Sequence, residues 1–540
     1  MAIELSNITF TEQDDIVPAS GVERIFNTGI ANTLAGDDII NGETGDTMFV
    51  VPSSQGGIVN TGTLNTDGGN DRLTGLFNDQ TGSFFTTYSI SCGIYNQNAI
   101  IDTGDGNDTL TGILAIQNPT FANNYYGIYN QNAIIDTGDG NDILTGILDI
   151  QNPTSANYHY GIYNQNAIID TGEGDDKIIG INNGANLSFY NITGIENWGT
   201  FTTGNGNDIM MGNGSTIGIT NYYPGTLNTN DGNDTITGIA TGLNGILNFG
   251  SINTGDGDDI ISGTSNSTGI ANLNNGSIDT GDGNDIIITS GGDSSIISNS
   301  GTIDTGNGND SIIVEQNGFS PYVTNSRNEG IINTNNGNDS IIFHGGLSNS
   351  GMVFLGDGND SLIVDSSFPW YAIQNRNFID TGDGDDTITS TGIIYNDGII
   401  NTGNGDDSIV VDGGIDDLTG KVYGIYNKGG SINTGDGNDS IIANEGFESG
   451  PNSSGAWFLG EGEDYIKGYG SGDFYGGNGN DTLELTPGTY TVGIWGEAGE
   501  SPIFTKGDQL MITSEFEKLK AGGTIYDFTS LTAGQIIVVA

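Results

Sequence analysis

The stretch Thr387 to Asp407 reads T-I-T-S-T-G-I-I-Y-N-D-G-I-I-N-T-G-N-G-D-D, the shortest repeat in the chain that carries every element of the pattern. Three apolar segments stand in it: Thr387-Ile-Thr, Gly392-Ile-Ile-Tyr-Asn and Gly398-Ile-Ile-Asn-Thr. Each sets one or two aliphatic residues against polar neighbours, the alternation of a half-buried strand. No segment sustains a helical period. Gly403-Asn-Gly-Asp-Asp then turns the chain into the next repeat.

Outward from this unit, the closing turn recurs seventeen times as a glycine, an aspartate two residues later and an apolar residue two further on. The aspartates are Asp38, Asp71, Asp108, Asp142, Asp176, Asp208, Asp234, Asp259, Asp285, Asp310, Asp339, Asp360, Asp386, Asp407, Asp439, Asp464 and Asp481. Successive aspartates are 34 residues apart from Asp108 to Asp176, 25 or 26 apart from Asp208 to Asp310, and 21 apart from Asp386 to Asp407. Self-similarity on this scale predicts a solenoid, whose coils contact only their neighbours and extend one core indefinitely. The expected fold is all-β: a right-handed parallel β-helix or β-roll solenoid with large coils, capped at the C-terminus. Residues 1–26 are expected to form an N-terminal cap, 27–483 the repeats, and 484–540 a C-terminal cap that also holds an export signal.

A second column supports the register. An asparagine, usually in G-I-x-N, precedes each motif aspartate by 11 to 13 residues, from Asn27 through Asn96, Asn130 and Asn164 to Asn427, and is missing before Asp464 and Asp481. Stacked asparagines bond one another as a ladder. The length variation falls between the strand after the aspartate and this asparagine, as in the near-identical stretches Gly112 to Tyr126 and Gly146 to Tyr160. Such inserts read as loop growth along one edge.

The turn itself points to a cation. The residue before the motif aspartate differs from coil to coil (Asn107, Asp175, Glu463), yet the aspartate is never replaced by asparagine. Asparagine makes turns equally well, so a position that refuses it needs the charge. Carboxylates stacked at the strand spacing of about 4.8 Å repel by roughly 0.9 kcal/mol in water, or about 3.5 kcal/mol at an effective dielectric of 20. Only 11 basic residues exist, and none recurs with the motif. A hard cation between turns relieves the repulsion. Carboxylates plus carbonyls on a flexible glycine turn suit Ca²⁺ better than Mg²⁺. All seventeen aspartates are therefore candidate metal ligands, with multiple Ca²⁺ as the expected cofactor.

These turns resemble the nonapeptide G-G-x-G-x-D-x-U-x of RTX (haemolysin-type calcium-binding) proteins, and Gly476-Gly-Asn-Gly-Asn-Asp-Thr-Leu483 is the closest copy. The resemblance covers roughly residues 27 to 483. It implies a parallel β-roll with Ca²⁺ between turns, and type I secretion read from an uncleaved C-terminal segment, here Tyr526 to Ala540. This chain departs from the family in spacing its motifs more widely. Leu34, Asp67, Asn230 and Asn335 replace a glycine, which weakens the sites at Asp38, Asp71, Asp234 and Asp339.

Composition sets the remaining bounds. With 68 acidic residues against 11 basic ones the net charge is −57, which makes nucleic acid and anionic membrane surfaces poor partners. No apolar run is long enough to span a membrane, and Met1-Ala-Ile-Glu-Leu-Ser is no signal peptide. The single cysteine, Cys92, reads as a small buried side chain. His159 and His344 lie in unrelated loop sequence and show no metal-site spacing. The expected protein is a secreted, calcium-binding structural, surface or adhesive rod, extracellular and not an enzyme. Its expected partners are calcium and either a cell-surface glycan or further copies of itself. The competing classes are a glycan-active β-helix enzyme and a calcium-dependent toxin.

Overall fold

The computed structural model describes residues 2–18, 23–44, 54–79, 90–117, 124–151, 158–184, 192–292, 296–316, 326–366, 371–416, 419–450, 455–496 and 501–540. Among the described residues there is no α-helix, only strands and two 3-10 turns, Leu5–Asn7 and Phe528–Ser530. The chain divides into two compact units, Met1–Asp293 and a second beginning at Ser294. Both are parallel β-helices.

The repeat quoted above folds as its alternation predicts, into strands Thr387–Ser390, Ile393–Asn396 and Ile399–Asn401. Each pairs in parallel with its counterpart in the preceding coil (Ser361–Asp365, Tyr371–Asn375, Phe378–Asp383) and in the following one (Ser408–Val411, Ile425–Asn427, Ser431–Asn433). The first unit repeats the pattern, with Thr109–Gln117 against Ile143–Gln151 and Ile100–Asp102 against Ile134–Asp136. Identical residues fall in register, Leu110 on Leu144 and Ile101 on Ile135. One inward aliphatic column per strand results: Leu110, Leu144 and Ile178; Ile94, Ile128 and Ile162; Ile101, Ile135 and Ile169, all fully buried. Each such side chain contributes about 1.5–3 kcal/mol, which offsets the ordering of a glycine-rich backbone.

The long inserts depart from the loop reading. Thr109–Gln117 and Asn124–Gln131 carry regular strand well into the first insert, and Ile143–Gln151 with His159–Asp170 do the same in the second. The lengthened coils enclose extra apolar clusters, one of Phe77, Leu114, Ile116, Tyr125, Leu148 and Ile150, the other of Cys92, Tyr95, Tyr126, Tyr129 and Tyr160 around Val59. Alternation continues through I-L-A-I-Q and I-L-D-I-Q, so these segments had apolar faces to bury and paired in order to do so. The middles of both inserts, 118–123 and 152–157, lie outside the described residues. Cys92 is buried inside the second cluster, as a small apolar side chain would be.

Pairing at the N-terminal end begins before the first motif aspartate, with Ala2–Glu4 on Arg24–Asn27 and Ile16–Val17 on Ile39–Thr44. At the other end Gln509–Ser514 and Lys518–Ala521 still pair in parallel with Gly472–Gly479 and Thr482–Leu485. The remaining cap strands are antiparallel. Gly488–Trp495 lies between Ser501–Lys506 and Ile536–Val539, and Lys518–Ala521 folds against Thr524–Asp527. Antiparallel hairpins end the open ladder that a parallel stack would otherwise expose.

Candidate metal centre

Two glycines shape most of the turns. In Thr103–Asp108 they are Gly104 and Gly106, with φ of +74° and +155°. A Cβ on Gly106 would stand 1.5 Å from the carbonyl oxygen of Gly69 in the coil before and 3.3 Å from Asp108 Oδ1. In the second unit a Cβ on Gly337 would stand 1.5 Å from the Gly308 carbonyl oxygen and 3.1 Å from Asp339 Oδ1. Carbonyl and carboxylate thus converge on a cradle that a side chain would fill. Leu34, Asp67, Asn230 and Asn335 keep the left-handed backbone with φ of 69°, 56°, 60° and 60°. Neighbouring asparagine amides hold three of them, Asn65 to Asp67 at 3.0 Å, Asn228 to Asn230 at 2.7 Å and Asn333 to Asn335 at 2.6 Å.

All seventeen motif aspartates are buried. Their Oδ1 atoms form a relay with the backbone. In the first unit the Asp71 N–H donates to Asp108, Asp108 to Asp142 and Asp142 to Asp176, each at 2.7 Å, and the series runs from Asp38 to Asp285. In the second unit it runs from Asp310 to Asp481 at 2.7 to 2.9 Å. Sequence reading missed both ends of these series. The Asp15 N–H donates to Asp38 Oδ1 at 2.7 Å, and the Asp481 N–H donates to Glu517 Oε2 at 2.8 Å. The available signal was a carboxylate followed by alternating apolar residues, D-I-V at 15–17 and E-K-L at 517–519, without the glycines.

The residue before each motif aspartate is less free than its variation implied. Its side-chain oxygen accepts the N–H of the same position one coil on, as in Asn107 to Asn70 at 2.9 Å, Asn141 to Asn107 at 2.7 Å and Asp406 to Asp385 at 2.9 Å. This ladder is exposed and asks only for an acceptor oxygen, which Asn and Asp both supply. The buried position is different. The second carboxylate oxygens of Asp38, Asp71, Asp108, Asp142, Asp176, Asp234 and Asp259, and of Asp339, Asp360, Asp386, Asp407, Asp439, Asp464 and Asp481, make no well-formed hydrogen bond, whereas those of Asp208 and Asp310 accept the Thr203 and Thr305 hydroxyls, the latter at 2.7 Å. Burial pushes Asp108, Asp142 and Asp176 up to about 7, and the adjacent threonine hydroxyls and N–H groups offset only part of it. Asp360, Asp407 and Asp464 rise to about 7 for the same reason, and Asp71, Asp386 and Asp481 to about 6.

A buried carboxylate with one unsatisfied oxygen, beside a glycine cradle, fits a hard cation held by oxygen alone. Among the described residues no three His, Cys, Asp or Glu side chains converge on one metal position. Such a cation would therefore draw on one or two carboxylates and complete its shell with carbonyls.

The asparagine column is a continuous amide ladder in each unit. Asn96 Nδ2 donates to Asn130 Oδ1 and Asn130 to Asn164, both at 2.9 Å, and Asn130 Nδ2 also reaches the Ile168 carbonyl at 3.0 Å. Ser449 pairs in register after Asn427 and ends it. His159 and His344, expected in loops, end strands instead, His159 buried and His344 exposed. Elsewhere in the first unit, Asn98, Asn132 and Asn166 line a groove of about 690 Å³ with Ile100, Ile134 and Trp198. No charged residue lines it. Trp198 stacks on Tyr222 at 4.0 Å, and Tyr222 on Phe249 at 5.5 Å.

No family model matches the chain, and no curated protein matches it. Among solved structures it is similar to the X-ray crystal structure of a hyperactive, Ca²⁺-dependent, β-helical antifreeze protein from an Antarctic bacterium. That likeness covers 80% of this chain and 84% of the other at 16% identity, with a TM-score of 0.26. At that level no site transfers from one chain to the other. What defines this protein is its own parallel ladders: it is a β-solenoid with a buried carboxylate column in each unit.

Proposed function

We propose that this chain is a secreted calcium-binding repeat protein of the RTX kind, whose coils lock on Ca²⁺ and which serves outside the cell as a structural or adhesive scaffold. One observation carries the reading: fourteen buried aspartate oxygens that make no well-formed hydrogen bond, set beside glycine cradles in a chain of net charge −57. Leaving that many buried anions uncompensated would cost more than a typical domain's whole stability of about 5–15 kcal/mol. Calcium would supply the missing positive charge; the motif carboxylates and the glycine carbonyls of the turns would hold it. Titration of the EDTA-treated protein should restore the β circular dichroism signal cooperatively at about 10⁻⁴–10⁻³ M Ca²⁺, as for extracellular calcium modules. Magnesium should do so poorly. A β signal indifferent to EDTA would sink the proposal.

For the adhesive role, the uncharged groove favours a neutral glycan. Its asparagine amides offer donors and acceptors, and Trp198 supplies an apolar wall. Binding of neutral oligosaccharides lost in Trp198→Ala supports this partner, whereas release of reducing sugar would move the protein to the glycan-active enzymes.

A further inference from the structure

Just beyond the last motif turn the cap imitates one more coil without the motif. Ser514 pairs in register with Tyr475 and Lys518 with Thr482. Glu515, Phe516 and Glu517 therefore span what Gly476 to Asp481 spans in the coil before. Glu515 adopts a left-handed φ of +60°, a conformation glutamate rarely takes. Its carbonyl oxygen stands 1.9 Å from the point where Gly476 would carry a Cβ, and Asp481 Oδ2 stands 2.9 Å from that same point. Asp481 is fully buried, and this Oδ2 has no hydrogen-bond partner. Glu517 takes the place of the next motif aspartate: its Oε2 accepts the Asp481 N–H at 2.8 Å, as Asp481 Oδ1 accepts the Asp464 N–H at 2.9 Å. Unlike the motif aspartates, Glu517 is exposed.

We infer that Asp481 Oδ2, the Glu515 carbonyl and the Glu517 carboxylate form a terminal Ca²⁺ site that the cap completes without the glycine motif, open to solvent, which fastens the C-terminal cap to the last motif turn. The site rests on the calcium reading above and deepens it. A hard cation is the only ligand class that the set suits, because every donor is oxygen and two are carboxylates. Solvent access through Glu517 makes it the most easily emptied position, so the cap loosens before the coils as calcium falls.

The test uses the full chain with calcium chloride alone. Glu517→Gln keeps an oxygen for the Asp481 N–H but removes the charge; Glu515→Gln leaves the carbonyl in place. Native mass spectrometry should count one calcium fewer in Glu517→Gln and no change in Glu515→Gln. Hydrogen exchange in Gln509–Ser514 should quicken about tenfold in Glu517→Gln only. Retention of all other calcium ions shows that the variant is folded. An unchanged count in Glu517→Gln overturns the terminal site and leaves the motif column standing. A parent protein that takes up no calcium overturns both.

Discussion

At the scale of single residues, two adjacent columns separate what a hydrogen bond needs from what a charge needs. Asn141 and Asp142 both accept an N–H from a neighbouring coil, yet Asn141 is exposed and Asp142 is 1% exposed with one oxygen unanswered. Asp142→Asn preserves the accepted N–H and removes only the charge. In calcium it should therefore lose about 1–3 kcal/mol, the cost of one buried polar group left without its partner. In EDTA at pH 8 it should gain β signal over the parent, because a buried uncompensated anion is gone. Denaturant melts with and without calcium check both signs; the same sign in both would mean that the charge has no counter-ion. The buried column was legible in the sequence, since an aspartate recurs at seventeen positions without once giving way to asparagine. Asp15 and Glu517 were not, because their coils reach the same backbone position without the glycines.

At the scale of the element, stability is distributed along ladders, and the asparagine ladder is a continuous buried side-chain series in each unit. Asn130 is fully buried, accepts from Asn96 and donates to both Asn164 and the Ile168 carbonyl. Asn130→Ala leaves the Asn164 oxygen without its donor, while the Asn96 amide keeps only its bond to the Ile134 carbonyl. It should cost about 2–4 kcal/mol, from three lost hydrogen bonds at a buried position. Asn141→Ala, in the exposed ladder, should stay within about 0.5 kcal/mol. Equal effects in urea melts would show that burial does not separate the two ladders. The inserts teach a related lesson. Their periodicity showed strand-forming alternation, but only pairing in register with the next coil turned I-L-A-I-Q and I-L-D-I-Q from loops into strands around a second core.

At the scale of the whole molecule, two consequences follow from how charge and the C-terminal tail are arranged. The folded pKa values of Asp108, Asp142 and Asp176 rise from the ordinary carboxylate range to about 7, above an unfolded value of about 3.9. Groups raised in this way stabilise the fold fully below the unfolded value and lose that contribution as pH climbs through the folded one. The metal-free chain should therefore keep its β signal near pH 5 and lose it between about pH 6 and 8, whereas calcium should abolish the loss. Circular dichroism in EDTA across that range decides it, and a metal-free chain that gains structure with rising pH would contradict the buried column. The tail is equally structural. Ile537 and Val539 are buried, Ile536–Val539 pairs with Gly488–Trp495, and Phe528 packs on Phe504 and Phe516. Removing residues 523–540 should therefore open Gly488 to Ser514 to protease even in calcium, in addition to any loss of export. An unchanged digestion pattern would mean that the tail is dispensable to the cap.

The sequence alone determined the coil, the positions of its three strands and the column of carboxylates, because a solenoid repeats one local solution and every repeat restates it. Glycine spacing sets the turns, alternation sets which side chains face inward, and stacking aligns like with like; none of these needs information from far along the chain. Tertiary structure alone decided where regularity ends. The extra apolar clusters, the coils built on Asp15 and Glu517, and the antiparallel cap that buries the tail all depend on contacts among residues without a shared motif. Sequence periodicity is silent there, and only the shape of the neighbouring coil selects the partner.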